Sequence, residues 1–492
     1  MLNGYGVRRQ SAAATALWIL WAGRININPK RRRRCTLPAH SKNCLMCRVC
    51  ANFKPTMTQI KISIRGAKRI RKGHLWVYRS DVRDVTDAKA GDIVAVVDDT
   101  RNFVGQALYS ELSEIALRFL TTREETIDSE WWRERLRGCA ERRQAIAGET
   151  NAYRLVYSEG DLMPSLIIDV YDQVFVIQTL SQGAERLQST LVDLLVEEFK
   201  PRAIVERNDA RVREFEGLEL RTGVLYERVT EPPAVATGSF DCGLGISDCG
   251  SSSTINRQSA IQNLKSSDPV ATARGSVTFD RIEINQHGIR FFVSPLSGQK
   301  TGAFLDQREN YLAACSLAHG RALDCFTFNG GFALHLASAC DNVMGIDISA
   351  DAIAAAQRNA ALNDARNVEF RAANVFDALR EMEANGDRFD TIVLDPPAFA
   401  KNRASVPSAA RGYKEINLRA LKLLNPGGVL VTCTCSYHMS EETFLDIIAE
   451  AALDARRRVQ IVEKRGQSSD HPVLLGVPET HYLKCVIARA IN

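Results

Sequence analysis

The stretch FDTIVLDPPAF, Phe389 to Phe399, decides the fold of the second half of the chain. It is an apolar run of strand length that ends in Asp395 and is followed at once by two prolines. Proline cannot continue a central strand, so the chain stops and stiffens at the end of this run. A rigid acidic corner of this kind can hydrogen-bond to the amine edge of a planar base, whereas a lone D-P-P is more often an ordinary turn.

Three segments before this corner also pair a short apolar run with a polar strand end. ALDCFTFNGGFALHLASA is a strand, the glycines Gly330 and Gly331, and a helix; NVMGIDIS ends near Asp347; VEFRAANVFDAL carries Asn374 near its end. A strand that feeds a glycine turn and a helix binds nucleotide-like ligands in doubly wound α/β folds. An acid about twenty residues after the glycines can accept both hydroxyls of a ribose. A helix cap is the alternative for Asp347, but Ser349 already suits that role. The pattern is not G-x-G-x-x-G, so the glycine pair alone is a weak signal.

The strand VLVTCTCS follows the helix NLRALKLL and a predicted stop, NPGG, and it contains Cys433 and Cys435. Cysteine often behaves as a small buried hydrophobe, and this is our interpretation of Cys433. As the next unit of the same β–α–β series, the strand places Cys435 at the carboxyl edge of the sheet, beside the crevice that Asp395 faces.

The region that begins at Met57 predicts a compact β domain. QIKISIRGAKRIRKGHLWVYRSDV opens with alternation at Ile60, Ile62 and Ile64, which indicates a strand, and GDIVAVVDD, FVGQALYS and IALRFL indicate others. Basic side chains interleaved with aromatic ones can hold phosphates and stack on bases, although a solvated strand edge with a core tryptophan is the alternative. The candidate RNA-binding residues are Arg65, Lys68, Arg69, Arg71, Lys72 and Trp76.

An α/β region with a Gly/Ser-rich insertion separates this domain from the glycine turn. It contains an amphipathic helix with two tryptophans, the helix ERLQSTLVDLLVEEF, and the hairpin pattern RIEINQHGIRFFVSP. The insertion, at about 230–275, lacks periodicity and is interpreted as a flexible loop. The predicted units are residues 1–56, 57–130, 131–295 and 296–492.

Composition and charge set limits on the class of protein. Hydrophobic residues make up 45% and charged residues 25%, which is typical of a globular chain. No apolar run reaches the roughly 18 residues that a membrane helix needs. The thirteen cysteines are odd in number and scattered, which favours reduced thiols and a cytoplasmic protein without a membrane partner.

The first 56 residues differ from the rest, because they hold eleven Lys and Arg and no acid. The run KRRRR can serve as a nucleic-acid arm or a targeting segment. We favour a disordered extension or a mis-assigned start, with the true beginning at Met57. The cysteines of CLMCRVC have a spacing that can ligate a metal, but they lack a second ligand pair, so no metal site is predicted.

Several longer motifs carry a resemblance to a known family. GQKTGAFLDQREN, DCFTFNGGFALH, VLDPPAFAKNR, RGYKEINLRALKLLNPGGVLVTCTCS and DHPVLLGVPETHYLK closely resemble the bacterial ribosomal RNA large subunit methyltransferase I family. The resemblance covers nearly everything from Met57 onward except the insertion. It implies an α/β multidomain protein: an N-terminal PUA-like β-barrel, a central EEHEE-type α/β domain and a C-terminal Rossmann-like class I methyltransferase domain. It also implies S-adenosylmethionine (SAM) as cofactor.

The site residues follow from matching positions in these motifs. The resemblance implies a nucleophile at Cys435 and a catalytic corner at Asp395 and Pro396. With Pro397 where two-cysteine relatives carry a thiol, it implies a single-cysteine mechanism that forms 5-methylcytosine in 23S rRNA. Asn374 departs from the aspartate of many relatives. The implied cofactor-binding residues are Gln299, Thr301, Phe304, Arg308, Asp324, Phe326, Asn329, Gly330, Asp347, Asn374 and Asp395.

Alternatives remain at the level of function. The chain could modify a nitrogen of guanine or adenine in RNA, act as a non-catalytic assembly factor that holds SAM and RNA, or be a nicotinamide oxidoreductase. The missing G-x-G-x-x-G opposes the last. The expected partner is 23S rRNA or a large-subunit precursor, and a homodimer is a further option.

Overall fold

The computed structural model describes residues 58–228, 279, 281–298, 300–400 and 402–491. The basic extension at 1–56 with its CLMCRVC cysteines, the insertion at 230–275, and Gln299 lie outside the described residues. Within the described ranges no helix combines the length and the hydropathy that crossing a bilayer requires.

The N-terminal sheet has the strand order β2-β6-β5-β4-β1-β3. Its apolar core is formed by residues from these strands and from the helix Ile64–Arg71. The elements are β1 (Gln59–Ile62), α1 (Ile64–Arg71), β2 (Trp76–Tyr78), β3 (Val82–Val85), β4 (Ile93–Asp98), β5 (Phe103–Tyr109) and β6 (Ile115–Thr121).

The first of these strands is shorter than the isoleucine alternation predicts. It ends at Ile62, and Ser63 caps α1 by accepting a hydrogen bond from the backbone N–H of Gly66 at 3.0 Å. Ile64 is exposed on this helix instead of continuing the strand. The local N-cap therefore overrides the alternation, and the basic residues lie on a helix, not on a strand edge.

The central sheet has the order β11-β10-β9-β8-β7, and its last four strands in chain order surround one long helix in a strand–strand–helix–strand–strand run. The predicted hairpin is confirmed as an antiparallel pair in which Ile282 lies opposite Val293. The elements are α2 (Ser129–Arg142), α3 (Gln144–Ala147), β7 (Ala152–Tyr157), β8 (Leu166–Tyr171), β9 (Val174–Thr179), α4 (Gln182–Phe199), β10 (Ala203–Asn208), β11 (Arg221–Glu227), β12 (Ile282–Gln286) and β13 (Ile289–Val293).

The C-terminal sheet has the order β16-β15-β14-β17-β18-β20-β19 and is parallel from β16 to β18, with β20 antiparallel to both its neighbours. The elements are α5 (Arg308–Leu317), β14 (Arg321–Cys325), α6 (Gly331–Leu336), β15 (Asn342–Asp347), α7 (Ala350–Leu362), β16 (Val368–Ala372), α8 (Val375–Asn385), β17 (Phe389–Leu394), α9 (Val406–Leu423), β18 (Leu424–Thr434), α10 (Glu441–Asp454), β19 (Val459–Arg465) and β20 (Lys484–Ala490).

The strand order reverses between β14 and β17, and helices cover both faces of the sheet with two apolar clusters. Such a switch point opens a crevice at the carboxyl ends of the strands, which is where α/β folds bind ligands. The predicted N-cap of the helix after Asp347 is confirmed, because the Ser349 hydroxyl accepts from the N–H of Ala352 at 3.2 Å.

The sequence predicts that NPGG is a stop between helix and strand, and this prediction is wrong. Strand β18 begins at Leu424 directly after α9, and NPGG lies inside it. The glycines allow this because Gly427 has a φ of +84° and the pairing with β17 shifts register between Phe389 and Thr391. A bulge thus replaces the expected turn.

Candidate active site

The glycine loop after β14 is held by two carboxylates at strand ends. Asp347, at the end of β15, accepts from the backbone N–H of Phe328 at 3.0 Å and of Ser349 at 2.9 Å. Phe326 and Phe328 have φ values of +66° and +51°, and Gly330 has +89°, so the loop is a tight left-handed turn. The turn directs backbone groups toward the carboxyl edge of the sheet.

Asp324 lies fully buried beneath this loop. One of its oxygens, Oδ2, accepts from the Thr327 hydroxyl at 2.6 Å and from the N–H of Ala333 at 2.9 Å, while Oδ1 is buried without a partner among the described residues. Burial raises the pKa of Asp324 to about 7, and the carboxylates of Asp395 and Asp347 add to the effect. An unsatisfied buried carboxylate oxygen is costly unless a donor reaches it.

Asp395 forms the acidic corner at the end of β17. Its Oδ1 accepts from Gln307 Nε2 at 2.9 Å, and the side chain is half-buried. Burial raises the pKa of Asp395 to about 7, and the nearby Asp306 carboxylate contributes, whereas Lys300 and the Gln307 hydrogen bond act in the opposite direction. The carboxyl group is therefore divided between its neutral and ionised forms near neutral pH.

Cys435 follows the last residue of β18 and lies against the same corner. Its Sγ is 3.9 Å from the carbonyl oxygen of Pro396, and the residue is half-buried. Burial raises the pKa of the Cys435 thiol to about 11, the Asp395 carboxylate adds to this, and the Lys300 ammonium opposes it. Cys433 is fully buried opposite Cys485 of β20, in the position of a core residue.

Two of the predicted cofactor residues before β14 are engaged inside the protein. The Thr301 hydroxyl contacts the Tyr171 hydroxyl at 2.9 Å and also bonds to Asp169. Arg308 is buried and its Nη1 lies 2.8 Å from Asp470 Oδ2. These side chains join the C-terminal domain to the central sheet and to the loop between β19 and β20.

The remaining predicted residues surround the loop. The Phe304 ring packs edge-on against Phe328, with centroids 4.9 Å apart. The Asn329 carbonyl accepts from Asn359 Nδ2 at 3.0 Å. Asn374 is exposed and caps α8 by accepting from the N–H of Phe376 at 2.9 Å, so its side chain is already used by the helix end.

An ion pair that the sequence did not single out lies near the corner. Lys300 Nζ is 2.8 Å from Asp306 Oδ2 and 4.0 Å from the centroid of the Phe304 ring. Asp306 is buried, the Tyr482 hydroxyl also donates to it, and its Oδ1 has no partner within the described ranges. The motif GQKTGAFLDQREN contains Lys300, Asp306 and Gln307, so it could have pointed to them. Matching positions to the family selected other residues of the same motif instead.

The candidate RNA-binding residues on and after α1 divide into two groups. Arg65 Nε and Arg69 Nη1 lie 2.8 and 3.2 Å from the Asp81 carboxylate, and Arg71 pairs with Asp98 at 2.7 Å. Trp76 Nε1 donates to Glu159 at 2.9 Å. By contrast, Lys68 and Lys72 are exposed and form no ion pair with any described residue. These two are the cations of the group that are free to meet phosphates.

Comparison with known proteins gives matches along almost the whole length. A PUA-like domain model matches residues 60–122 and a methyltransferase domain model matches residues 317–470. The ribosomal RNA large subunit methyltransferase I of Shewanella frigidimarina is 34% identical over 88% of this chain and 99% of its own. That of Tolumonas auensis is 36% identical over 86% of this chain and 97% of its own.

Solved structures show the same arrangement of elements. A proposed SAM-dependent methyltransferase from Streptococcus mutans aligns with a TM-score of 0.67 at 16% identity, over 88% of this chain and 100% of that one. Another structure, a proposed methyltransferase complexed with SAH, aligns with a TM-score of 0.68 at 16% identity over the same shares. At this identity the likeness establishes the fold.

Proposed function

This chain belongs to the ribosomal RNA large subunit methyltransferase I family, and we propose that it methylates C5 of a cytosine in 23S rRNA through a covalent bond to Cys435. Family membership makes it a SAM-dependent rRNA methyltransferase. One observation carries the finer proposal: the Cys435 thiol lies 3.9 Å from the Pro396 carbonyl, at the corner that Asp395 opens. A corner built for amine methylation needs no thiol at this place.

The residues of the crevice fit SAM. The buried Oδ1 atoms of Asp324 and Asp306, which have no partner in the part of the chain that the structure describes, suit the α-ammonium group of its methionine part. Asp347 suits the two ribose hydroxyls. Bound SAM supplies an electrophilic methyl group. We place Phe326, Asn329, Gly330 and Phe304 around it, with Thr301 and Arg308 as support. Gln299 and Asp395 belong to the same proposed set. Asn374 joins it through a second hydrogen bond to the side-chain oxygen that also caps α8.

Cys435 solves the problem that C5 of cytosine is a poor nucleophile. The thiol gives its proton to solvent water and its sulfur forms a bond to C6. The electron pair of the C5=C6 bond moves through C4 to N3, which takes the Asp395 proton. C5 then carries enamine character and can take the methyl group. The N3 proton returns to Asp395, the C5 proton passes to solvent water, and the electron pair of the C5–H bond forms C5=C6 as the thiolate leaves C6, which restores the aromatic ring.

Asp395 stabilises this adduct by giving a proton to N3. With its pKa raised to about 7, the carboxyl keeps a proton for donation at neutral pH, which an ordinary aspartate does not. Lys300 assists the other partner, because its positive charge favours the thiolate form of Cys435. The site therefore combines a partly protonated acid and a cation next to a half-buried thiol.

RNA reaches the thiol only if the target base is unstacked, because C6 of a stacked base offers no room for the sulfur atom. We propose that the PUA-like domain supplies phosphate contacts through Lys68 and Lys72, which have no internal ion pair among the described residues. Such contacts give an affinity that falls as salt concentration rises.

The experiment is to map 5-methylcytosine in 23S rRNA from cells with and without the gene, and to repeat the reaction with purified protein. We expect one cytosine to lose its methyl group without the gene and to regain it with the wild-type protein but not with Cys435→Ala. Full methyl transfer by Cys435→Ala, or a methyl group on a purine nitrogen, would overturn the proposal.

A further inference from the structure

Gln307, the residue immediately before α5, connects the catalytic corner to the end of β19 through a chain of hydrogen bonds. It is buried, with 3% of its surface exposed, and its Nε2 donates to Asp395 Oδ1 at 2.9 Å. Its Oε1 accepts from Asn310 Nδ2 at 2.7 Å. Asn310 in turn accepts from Arg465 Nε at 3.0 Å. The corner is thus tied to β19.

The direction of every hydrogen bond in this chain is set by its far end. A guanidinium has donors and no acceptor, so Arg465 must face the Oδ1 oxygen of Asn310. The Asn310 amide nitrogen then points at Gln307, which must present its own oxygen to Asn310 and its nitrogen to Asp395. Gln307 therefore reaches the carboxyl group as a donor.

A donor at Oδ1 decides where the carboxyl proton of Asp395 resides. A proton on Oδ1 would meet the N–H of Gln307, so the neutral acid carries it on Oδ2. No hydrogen bond from Oδ2 to a described residue is present. The free oxygen is consequently the one that holds the proton.

We propose that Gln307 is a positioning residue that turns Asp395 so that Oδ2 presents its proton to N3 of the target cytosine. The inference rests on the proposed function and adds the residue that orients its acid. Gln307 also meets the buried Cys433 thiol, but it forms no hydrogen bond to the Cys435 thiol among the described residues; it acts on the reaction through Asp395.

Other charged groups also influence the pKa of Asp395, so a test of Gln307 has to leave those residues unchanged. Asp306 raises its pKa and Lys300 lowers it. The Asp395 carboxylate in turn raises the pKa of four neighbouring groups, namely Cys433, Cys435, Asp324 and Tyr311. The Gln307 N–H lowers the pKa of Asp395 because it stabilises the ionised form, so its removal should raise that pKa.

The test uses Gln307→Leu, which removes the donor, and Gln307→Glu, which keeps an acceptor for Asn310 and places a second carboxylate beside the first. Gln178→Leu is the matched control, because Gln178 is also a buried glutamine that donates one hydrogen bond, to the Arg207 carbonyl at 2.7 Å. Circular dichroism checks that each variant is folded.

The readout is the rate of Cys435 alkylation by iodoacetamide against pH, followed by peptide mass spectrometry on the full chain without RNA. Ionisation of Asp395 raises the pKa of the thiol beside it, so the alkylation rate of the wild type should rise less steeply with pH above about pH 7. We call this change of slope the bend. Both Gln307 variants should move the bend upward by about one to two pH units, the size of a lost hydrogen bond to a charged group. In methyl transfer, kcat should fall while KM for RNA stays within about twofold of wild type.

A bend that stays at the wild-type pH in both Gln307 variants, or that moves equally in Gln178→Leu, overturns the inference. The result does not depend on methyl transfer. If the bend moves but the wild-type protein makes no 5-methylcytosine, the effect of Gln307 on Asp395 is supported and the proposed function fails. If 5-methylcytosine forms and the bend does not move, the proposed function is supported and the inference about Gln307 fails.

Discussion

Replacing Asp395 with asparagine should make the protein more stable while it destroys activity. The wild-type carboxyl has its pKa raised to about 7 by burial and by Asp306, so ionising it costs more in the folded chain than in the unfolded one. Asparagine has nearly the same shape, can still accept from Gln307, and carries no charge. The gain in stability should therefore depend on pH.

The direction and size of the gain follow from the two pKa values. Between the unfolded value near 4 and the folded value near 7 the native state binds more protons, so stability falls as pH rises and levels off above about 7. A shift of about three units corresponds to about 4 kcal/mol as an upper limit. Because the side chain is partly exposed, solvent screening should reduce this to about 1 to 3 kcal/mol.

The assay is urea unfolding of wild type and Asp395→Asn at pH 5, 6, 7 and 8. The free energy of unfolding should differ least at pH 5 and most at pH 8. Asp390→Asn is the control on the same strand: Asn425 and the Arg321 N–H lower the pKa of Asp390, so its replacement should destabilise the protein. Equal effects at all four pH values, or a loss of stability in Asp395→Asn, would refute the reasoning.

Three further changes test separate parts of the structure. Lys300→Gln should raise the pKa of both Asp395 and the Cys435 thiol, because it removes a positive charge that lowers both pKa values, and the pH profile of methyl transfer should move upward; an unchanged profile would contradict this. Asp470→Asn should cost about 3 to 5 kcal/mol in chemical unfolding, because it leaves buried Arg308 with only the Glu309 carboxylate, at 3.7 Å; a loss below about 1 kcal/mol would argue against a structural ion pair. Replacing Lys68 and Lys72 by Gln should weaken RNA binding and reduce the salt dependence of log K by about one to two units of slope, and an unchanged slope would place the RNA elsewhere.

The parts of the fold that repeat a strong pattern could be predicted from the sequence. The parallel strands, the glycine turn and the helix cap at Ser349 each have a local signal, and the structure contains them. The helix α1 was missed because one N-cap at Ser63 outweighs the strand-like alternation of Ile60, Ile62 and Ile64. The bulge at Gly427 was missed because glycine fits a stop and a bulge equally well.

The site was predictable in its residue types and not in its connections. Asp395 and Cys435 stand at strand ends, so topology brings them together. Sequence spacing does not show that Arg65 and Arg69 meet Asp81, or that Gln307 reaches Asp395 across the sheet edge. These contacts join residues distant in the chain, and only the folded structure reveals them. The unit boundaries at residues 130 and 295 stay predictions.

The central claim is that Cys435 bonds to the cytosine ring, and the most direct measurement is to trap that bond. RNA that carries 5-fluorocytosine at the target position has no C5 proton to lose, so the adduct cannot resolve after methyl transfer. With SAM present, intact-mass spectrometry should show the wild-type protein heavier by one RNA and one methyl group, with the RNA on the Cys435 peptide, and Cys435→Ala should show no adduct. Methylation of ordinary RNA without any trapped adduct, or an adduct that persists in Cys435→Ala, would contradict the account.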